Sequence, residues 1–525
     1  MKHLPYVVHE SGKYQFILDD KPFIMLAAET HNSAASSPDY MKYVWQKAVN
    51  LNCNTILVPV YWELIESEEN CFDYSLLEST ISGARQHGFK LVLLWFGSWK
   101  NGLSTYAPRW VRTDLKRFPR TIDQKGARTK ILSIFNSDLQ ESERNAFEKF
   151  LIFLRQYDAK QQTVIAIQIE NEVGILGAAR DYSEAANKLF QGAIPPALLE
   201  NYTHLSRKSD FASELDSLTT WKECFGEEAD EIFMAWNYAS YINNLAFFGK
   251  KIYPLPMYTN VWLNESDIDL PGTYPSGGAV PRILSIWKFA APLLDFISPD
   301  IYTFNFEDIA NSYRRPDNPL FVAETRRDKW AVANLYLSIG EYHTLCYSPF
   351  GLESIGENKS YITQIEHSDV NDLNVSNVTI ADYLAMSYMY LKNMIPTLSR
   401  GYGTKNLRGF CQKNGMKTTT LTIEEYQIDI TFYHSIDENN KIIPGAGIVL
   451  LSEKYLYFCG YGYRASVKIN NDYKELDFLL LEKGAFNNNG EWERRMILNG
   501  DEQYIRMEER PTIIRASFFE YDIYM

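Results

Sequence analysis

Two kinds of periodicity divide the chain. Up to about residue 400, short runs that are apolar at nearly every position alternate with longer stretches at helical spacing. Eight such runs stand out: FIMLAAE (23–29), TILVPVYW (55–62), KLVLLWF (90–96), VIAIQIE (164–170), LPMYTNV (255–261), FISPDIY (296–302), LFVAE (320–324) and TLCYS (344–348). A continuous Val/Ile/Leu-rich run of this length suits a strand covered on both faces, as in a parallel sheet flanked by helices. The intervening segments carry helix punctuation. Ser37 followed by Pro38 reads as an N-cap and first helical position, and Gly88 closes a helical stretch just before the third run. Eight strand–helix units predict an α/β fold, a (β/α)8 TIM barrel spanning 1–400. The interval at about 175–250 is long and helical in flavour and is expected to cap the barrel rim. The Gly/Pro-rich stretch LPGTYPSGGAVPR (270–282) is expected to form a lid or wall beside the mouth.

Beyond residue 401 the period becomes two. TTTLTIEEYQIDITFYH (418–434), GIVLLSEKYLYFCGYGYRASVKI (447–469) and IIRASFFEYDIY (513–524) alternate apolar and polar positions between turn signals. This predicts a C-terminal antiparallel β-sandwich domain over 401–525.

Composition narrows the function. The 525 residues are enough for more than one core. A formal net charge of −14 and no dense Lys/Arg run argue against a nucleic-acid partner. The six cysteines are scattered without a CxxC pair, so neither a zinc site nor a disulfide framework is expected. The N-terminus lacks the apolar core of a signal peptide, and no apolar stretch approaches the ~20 residues of a membrane span. The expectation is a cytoplasmic protein with no membrane partner, with homo-oligomerisation left open. Aromatic residues reach 14%, which suits a pocket for a ligand with apolar C–H faces and many hydroxyls, such as a carbohydrate substrate.

Catalytic groups of a TIM barrel sit at the C-terminal ends of its strands. Those ends here carry Glu29 and His31; Trp62 and Glu63; Trp95 and Trp99; Glu170, Asn171 and Glu172; Tyr258, Asn260 and Trp262; Asp300 and Tyr302; Glu324; and Tyr347. The set is acids, amides and aromatics. Only His31 has carboxylates near it in sequence, so no metal is expected, and no GxSxG elbow is present. Two carboxylates from the fourth and seventh strands, Glu172 and Glu324, would face each other across the mouth, the arrangement that glycoside hydrolysis needs. Glu29, His31 and Glu63 are candidates to bind sugar hydroxyls, and Tyr258 and Asn260 are further site candidates. Trp62, Trp95, Trp99 and Trp262 are candidates for stacking on a sugar face, with core packing an equal reading of each. Period two places Glu170 on the same strand face as Gln168 and Glu172, one layer deeper in the barrel, and so as a structural acid.

QIENEVG (168–174) resembles the strand-four motif of clan A retaining glycoside hydrolases, and is closest to that of family 35 β-galactosidases. The resemblance implies that Glu172 is the acid/base, that Asn171 holds the sugar 2-hydroxyl, that Glu324 in PLFVAET is the nucleophile, and that Tyr302 in SPDIY hydrogen-bonds it. Residues 72–99 are similar to a segment of families 35 and 42 leading into strand three. Residues 277–302 are similar to a bacterial subgroup of family 35 with its own C-terminal β domain. The likeness covers most of 20–355. It departs at Val173, where family 35 has a tyrosine, and in lacking the cysteine cluster of family 42. It implies a retaining exo-β-glycosidase, β-galactosidase-like and needing no cofactor. The alternatives are another sugar (β-glucosidase, β-mannosidase or arabinoside-cleaving), endo action, or a non-catalytic carbohydrate-binding barrel.

Overall fold

A computed structural model describes residues 3–10, 12–199, 218–266, 268–356, 379–434, 442–471 and 473–522. Eight parallel strands close into a barrel. In chain order they are Met25–Glu29, Thr55–Tyr61, Lys90–Lys100, Val164–Asn171, Met257–Trp262, Phe296–Ile301, Val322–Thr325 and Cys346–Pro349. The eighth pairs back onto the first, Cys346 opposite Met25, so no edge is left open. All eight apolar runs are therefore barrel strands, and nearly every residue in them is buried, as two-faced coverage requires.

The helix signals act locally as expected. The Ser37 side chain accepts from the Tyr40 backbone N–H at the start of helix Pro38–Asn50. Gly88 takes φ +75° to end helix Ser75–His87, a conformation that a Cβ would strain. Helix Ser137–Asp158, capped by Asn136, covers the third and fourth strands. Of the 175–250 interval, residues 200–217 lie outside the described residues. Its last part, helix Ala229–Ile252, stands in the outer ring against Ser137–Asp158 and Leu284–Ala290. Gly249 gives the room for that packing, since a Cβ there would lie 2.9 Å from Leu151 and Phe147. The 270–282 stretch lies along the start of the interval, Ser276 bridging to Ile175. No helix among the described residues is long and apolar enough to cross a membrane.

Two antiparallel sheets follow the barrel. One has six strands in the order Leu407–Cys411, Ala446–Ser452, Tyr455–Tyr461, Thr512–Asp522, Lys474–Phe486, Trp492–Ile497; the other has four, Thr418–Ile423, Tyr426–Phe432, Tyr463–Ile469 and Ile505–Met507. Strict alternation sorts the six-stranded sheet's side chains between two cores. Val449, Leu456, Phe458 and Ile514 meet Ile428, Ile430, Phe432 and Met507 of the smaller sheet. Ile448, Leu450, Cys459, Tyr461 and Ile513 point the other way and join the barrel's own core. There they lie on helices Lys329–Gly340 and Ile380–Gly401, with Tyr461 edge-on to Tyr336 and Tyr383. The backbones touch at Gly340 and Gly409, where a Cβ on Gly340 would lie 2.5 Å from the Gly409 Cα.

A three-stranded antiparallel sheet, Tyr6–Glu10, Lys13–Leu18 and Lys21–Phe23, precedes the barrel. It is tied to the end of helix Ile380–Gly401 by Lys13 and Gln15, which both donate to the Ser399 carbonyl.

Candidate active site

Three carboxyls from three strands meet at the C-terminal mouth. Glu172 (5% exposed), Asp300 (3%) and Glu324 (4%) each present one oxygen within 4.8 Å of the other two. At that depth an ionised carboxylate is stable only with donors around it. The donors are distributed unequally, and that inequality separates the three groups.

Glu324 is surrounded by donors. Tyr302 Oη donates to its Oε2 at 2.7 Å, and the Asn260 and Asn171 amides donate to Oε1 at 3.2 and 3.4 Å. Arg326 does not pair with it: that guanidinium binds Asp328 and the Tyr302 carbonyl. Three donors thus converge on the Glu324 carboxyl, and none of these hydrogen bonds comes from a cation.

Glu172 has one amide donor, Asn101 Nδ2 at 2.5 Å from Oε2, and a carboxyl contact with Asp300. Burial, then the neighbouring Glu324, push its pKa up to about 7. Lys100 and the hydrogen bonds from Asp300 and Asn101 pull the other way. Glu172 is thus an acid that holds its proton near neutrality. Burial first, then Glu324 and Glu172, also hold Asp300 well above the usual carboxylate range.

The positioning of Glu172 comes from adjacent residues on the third strand. Lys100 lies opposite Asn171 in register. Lys100 Nζ donates to Asn171 Oδ1 at 2.8 Å, which turns the Asn171 NH2 toward Glu324. One residue on, Asn101 grips Glu172. The backbone follows the same pairing, Asn101 N to Asn171 O and Gly102 N to Glu172 O. Asn260 ties in the remaining strands: its Oδ1 accepts from the Glu172 backbone N–H, and its Nδ2 serves both Asp300 and Glu324. Glu170 and Glu172 both have left-handed backbones, φ +59° and +48°. Non-glycine residues in that region cost of order 1 kcal/mol and concentrate at functional sites.

That twist corrects one expectation. Glu170 is not in the barrel interior below Glu172. Its carboxylate turns outward and accepts from the backbone N–H groups of Gly97, Ser98 and Trp99, beside Glu143 of helix Ser137–Asp158. It is structural, as read, but from the other side of the strand, because the left-handed residue breaks the alternation.

The remaining candidates divide. Asn171, Asn260 and Tyr302 lie on the carboxyl cluster. Glu29 is fully buried, neither of its oxygens has a hydrogen-bond partner, and burial followed by Glu324 raises its pKa well above the usual range. Trp262 is half-buried at the end of the fifth strand, opposite Asp300 in register. Tyr258 lies deeper, stacked on Phe296 and tilted against Phe321 in the barrel core. Glu63 pairs with Arg112 at 3.2 Å, and His31, just past the first strand, is held to the loop after the eighth strand through Glu353 and Ser354. Trp62, Trp95 and Trp99 are core residues, fully buried, and each donates its indole N–H to a neighbour: Glu66, Glu143 and the Leu132 carbonyl. Lys100, Asn101 and Asp300 have no assignment in the sequence reading. Asp300 stood at a strand end there; Lys100 and Asn101 follow Trp99 directly in GSWKNG.

Glu172, Asp300 and Glu324 are also the group of described residues whose spacing could hold a metal ion. On Glu324, N–H and O–H donors already occupy the oxygens that a cation would need.

Among protein families, a model described as a domain of unknown function (DUF5597) matches residues 384–508. None of the curated proteins compared with the chain matches it in sequence. Among solved structures, the catalytic domain of a β-amylase from Paenibacillus polymyxa shares 13% identity at TM-score 0.46, over 63% of this chain and 93% of that one. The GH42 β-galactosidase Gan42B of G. stearothermophilus, solved as a catalytic mutant, shares 15% at TM-score 0.48, over 72% and 57%. The β-galactosidase of the psychrophilic Marinomonas ef1 shares 10% at TM-score 0.46, over 71% and 61%. This chain thus spans less than two thirds of either β-galactosidase.

Proposed function

We propose that this protein is a glycoside hydrolase acting by double displacement with retention, with Glu324 as nucleophile and Glu172 as acid/base. The observation that carries this reading is the unequal solvation of two buried carboxyls whose nearest oxygens lie within 4.8 Å. Glu324, with three donors, suits the group that must attack as an anion. Glu172, with its pKa pushed up to about 7, suits the group that must arrive protonated. Retaining enzymes hold the two carboxyls about 5–5.5 Å apart, whereas inverting enzymes leave about 6.5–9.5 Å for a water. The short separation here favours retention.

In the first step Glu324 attacks the anomeric carbon while Glu172 protonates the departing oxygen. In the second, Glu172, now a carboxylate, takes a proton from the water that displaces Glu324. Occupation of Glu324 by sugar removes the negative charge that raises Glu172, so its pKa falls when it must act as a base. Asn171, aimed by Lys100, would hold the sugar hydroxyl next to the reacting carbon. The finer assignment, an exo-acting enzyme on terminal β-galactosides, extends the sequence resemblance to this site.

The test is chemical rescue. Glu324→Gly should be inactive on an activated aryl β-glycoside and regain turnover with azide, releasing a glycosyl azide of inverted configuration. Wild type and variant both silent across a panel of aryl glycosides would sink the mechanism.

A further inference from the structure

Asp300 has an environment that the double-displacement reading does not use. Its Oδ2 accepts from Asn260 Nδ2 at 2.8 Å. Its Oδ1 is buried without a hydrogen-bond partner, and one oxygen of its carboxyl lies within 4.8 Å of one of Glu172. Two buried carboxylates at that range repel, so one of the two holds a proton, and both are pushed toward the protonated form. The amide donors indicate which group holds it. Asn101 serves Glu172 within the cluster, whereas the Asn260 amide is divided between Asp300 and Glu324. Asp300 is the poorer place for a negative charge.

We propose that Asp300 is a positioning residue for Glu172, remaining protonated while the enzyme works and donating a hydrogen bond to the Glu172 carboxylate whenever Glu172 has given up its own proton. The proposal rests on the double-displacement reading. Its proton inventory is simple. In the first step the Glu172 proton goes to the leaving oxygen, and in the second Glu172 recovers one from water. The Asp300 proton never leaves; it turns one oxygen of Glu172 into an acceptor and fixes the direction of the other. It also removes a negative charge from beside Glu324. Among the described residues, the carboxyls that face Asp300 favour its neutral form, Glu172 and Glu324 across the mouth and Glu29 on the first strand; the phenols of Tyr258, Tyr302 and Tyr313 face it as well. The cation that reaches this cluster, Lys100, acts on Glu172 and Glu29 and donates to Asn171.

Two substitutions separate this role from mere packing. Asp300→Asn keeps an acceptor for Asn260 and an N–H for Glu172 but cannot ionise. Asp300→Leu keeps the bulk and removes the donor. The Asn variant should lose clearly less kcat than the Leu variant and keep the wild-type pH profile. The Leu variant, folded by circular dichroism, should lose about tenfold to a hundredfold in kcat, the size of one hydrogen bond to a charged group. The basic limb of its kcat/KM profile should move upward, because the Glu172 carboxylate has lost a donor. Infrared spectra of the resting enzyme at neutral pH read the proton itself: one protonated-carboxyl C=O band of the wild type should vanish in both variants. Asn and Leu variants equally impaired, a Leu variant with the wild-type profile, or an unchanged band in both would each overturn the proposal. A wild type that cleaves no glycoside while the band still vanishes would instead sink the double-displacement reading, and with it the use assigned to this proton, but not the proton.

Discussion

Lys100 Nζ lies 2.8 Å from Asn171 Oδ1, and both side chains are buried at the point where the third and fourth strands leave the barrel. A buried cation is bonded here to a neutral amide, with the carboxylates one step further away. That fixes which end of the amide faces Glu324. Lys100→Met should release the Asn171 amide from its fixed orientation and weaken its hold on Glu324. The expected loss is about tenfold to a hundredfold in kcat/KM, on the scale of one charge-assisted hydrogen bond. Steady-state kinetics on an aryl glycoside, beside an unchanged circular dichroism spectrum, would check it.

Removing the phenol from Glu324 is a second test. Tyr302→Phe leaves the ring and takes away the 2.7 Å donor. We expect kcat to fall by about tenfold or more, with little change in thermal stability. An unaltered kcat would mean that the phenol does not serve the nucleophile.

The proton on Glu172 sets the pH dependence. Its pKa is raised to about 7, so kcat/KM should fall as pH rises through that region. The same shift bears on stability. A carboxyl raised in the folded state contributes stability that is fully present below its unfolded pKa and is lost as pH rises through the folded value. Glu29 and Asp300 are shifted in the same direction. The melting temperature should therefore decline between about pH 5 and pH 8, against the usual carboxylate trend. Glu172→Gln should flatten part of that decline. A melting temperature that rises steadily across this range would contradict the buried-proton arrangement.

Glu170 tests the scaffold beneath the site. It accepts from three backbone N–H groups and shares its surroundings with Glu143, and burial first, then Glu143, raise its pKa well above the usual carboxylate range. Glu170→Ala would leave those N–H groups buried without partners and should cost roughly 3 kcal/mol or more. Glu170→Gln keeps an acceptor oxygen and should cost far less. Thermal unfolding of the two variants distinguishes them.

The barrel was legible because each of its strands is covered on both faces, which leaves unbroken apolar runs such as KLVLLWF. The N-terminal sheet was not, since KYQFIL and KPF are short and half-exposed. The long strand Lys474–Phe486 was missed because its first half alternates only between exposed and half-buried positions and the Leu479–Leu481 run interrupts the polar–apolar pattern. In the site, the pairing of Glu172 with Glu324 was visible as two acids at the ends of different strands. The supporting pair Lys100 and Asn101 was not. The third apolar run ends at Phe96 in sequence, where Gly97 and Ser98 follow, yet the strand continues to Lys100, where a side chain, Glu170, satisfies the backbone groups. No local pattern encodes a partner seventy residues away. The left-handed backbone at Glu170 is equally invisible to a period-two reading.

The six-stranded sheet lies against the helix that follows Glu324 and the one that closes the barrel, so the seventh and eighth strands are backed by two further layers. Among the described residues, the strand that leads to Glu172 is covered by helix Ala229–Ile252, which packs in turn on Ser137–Asp158, and by no sheet. The helix that follows Glu324 is thus shared between the barrel and the β domain, so the folding of that domain is coupled to the placing of Glu324.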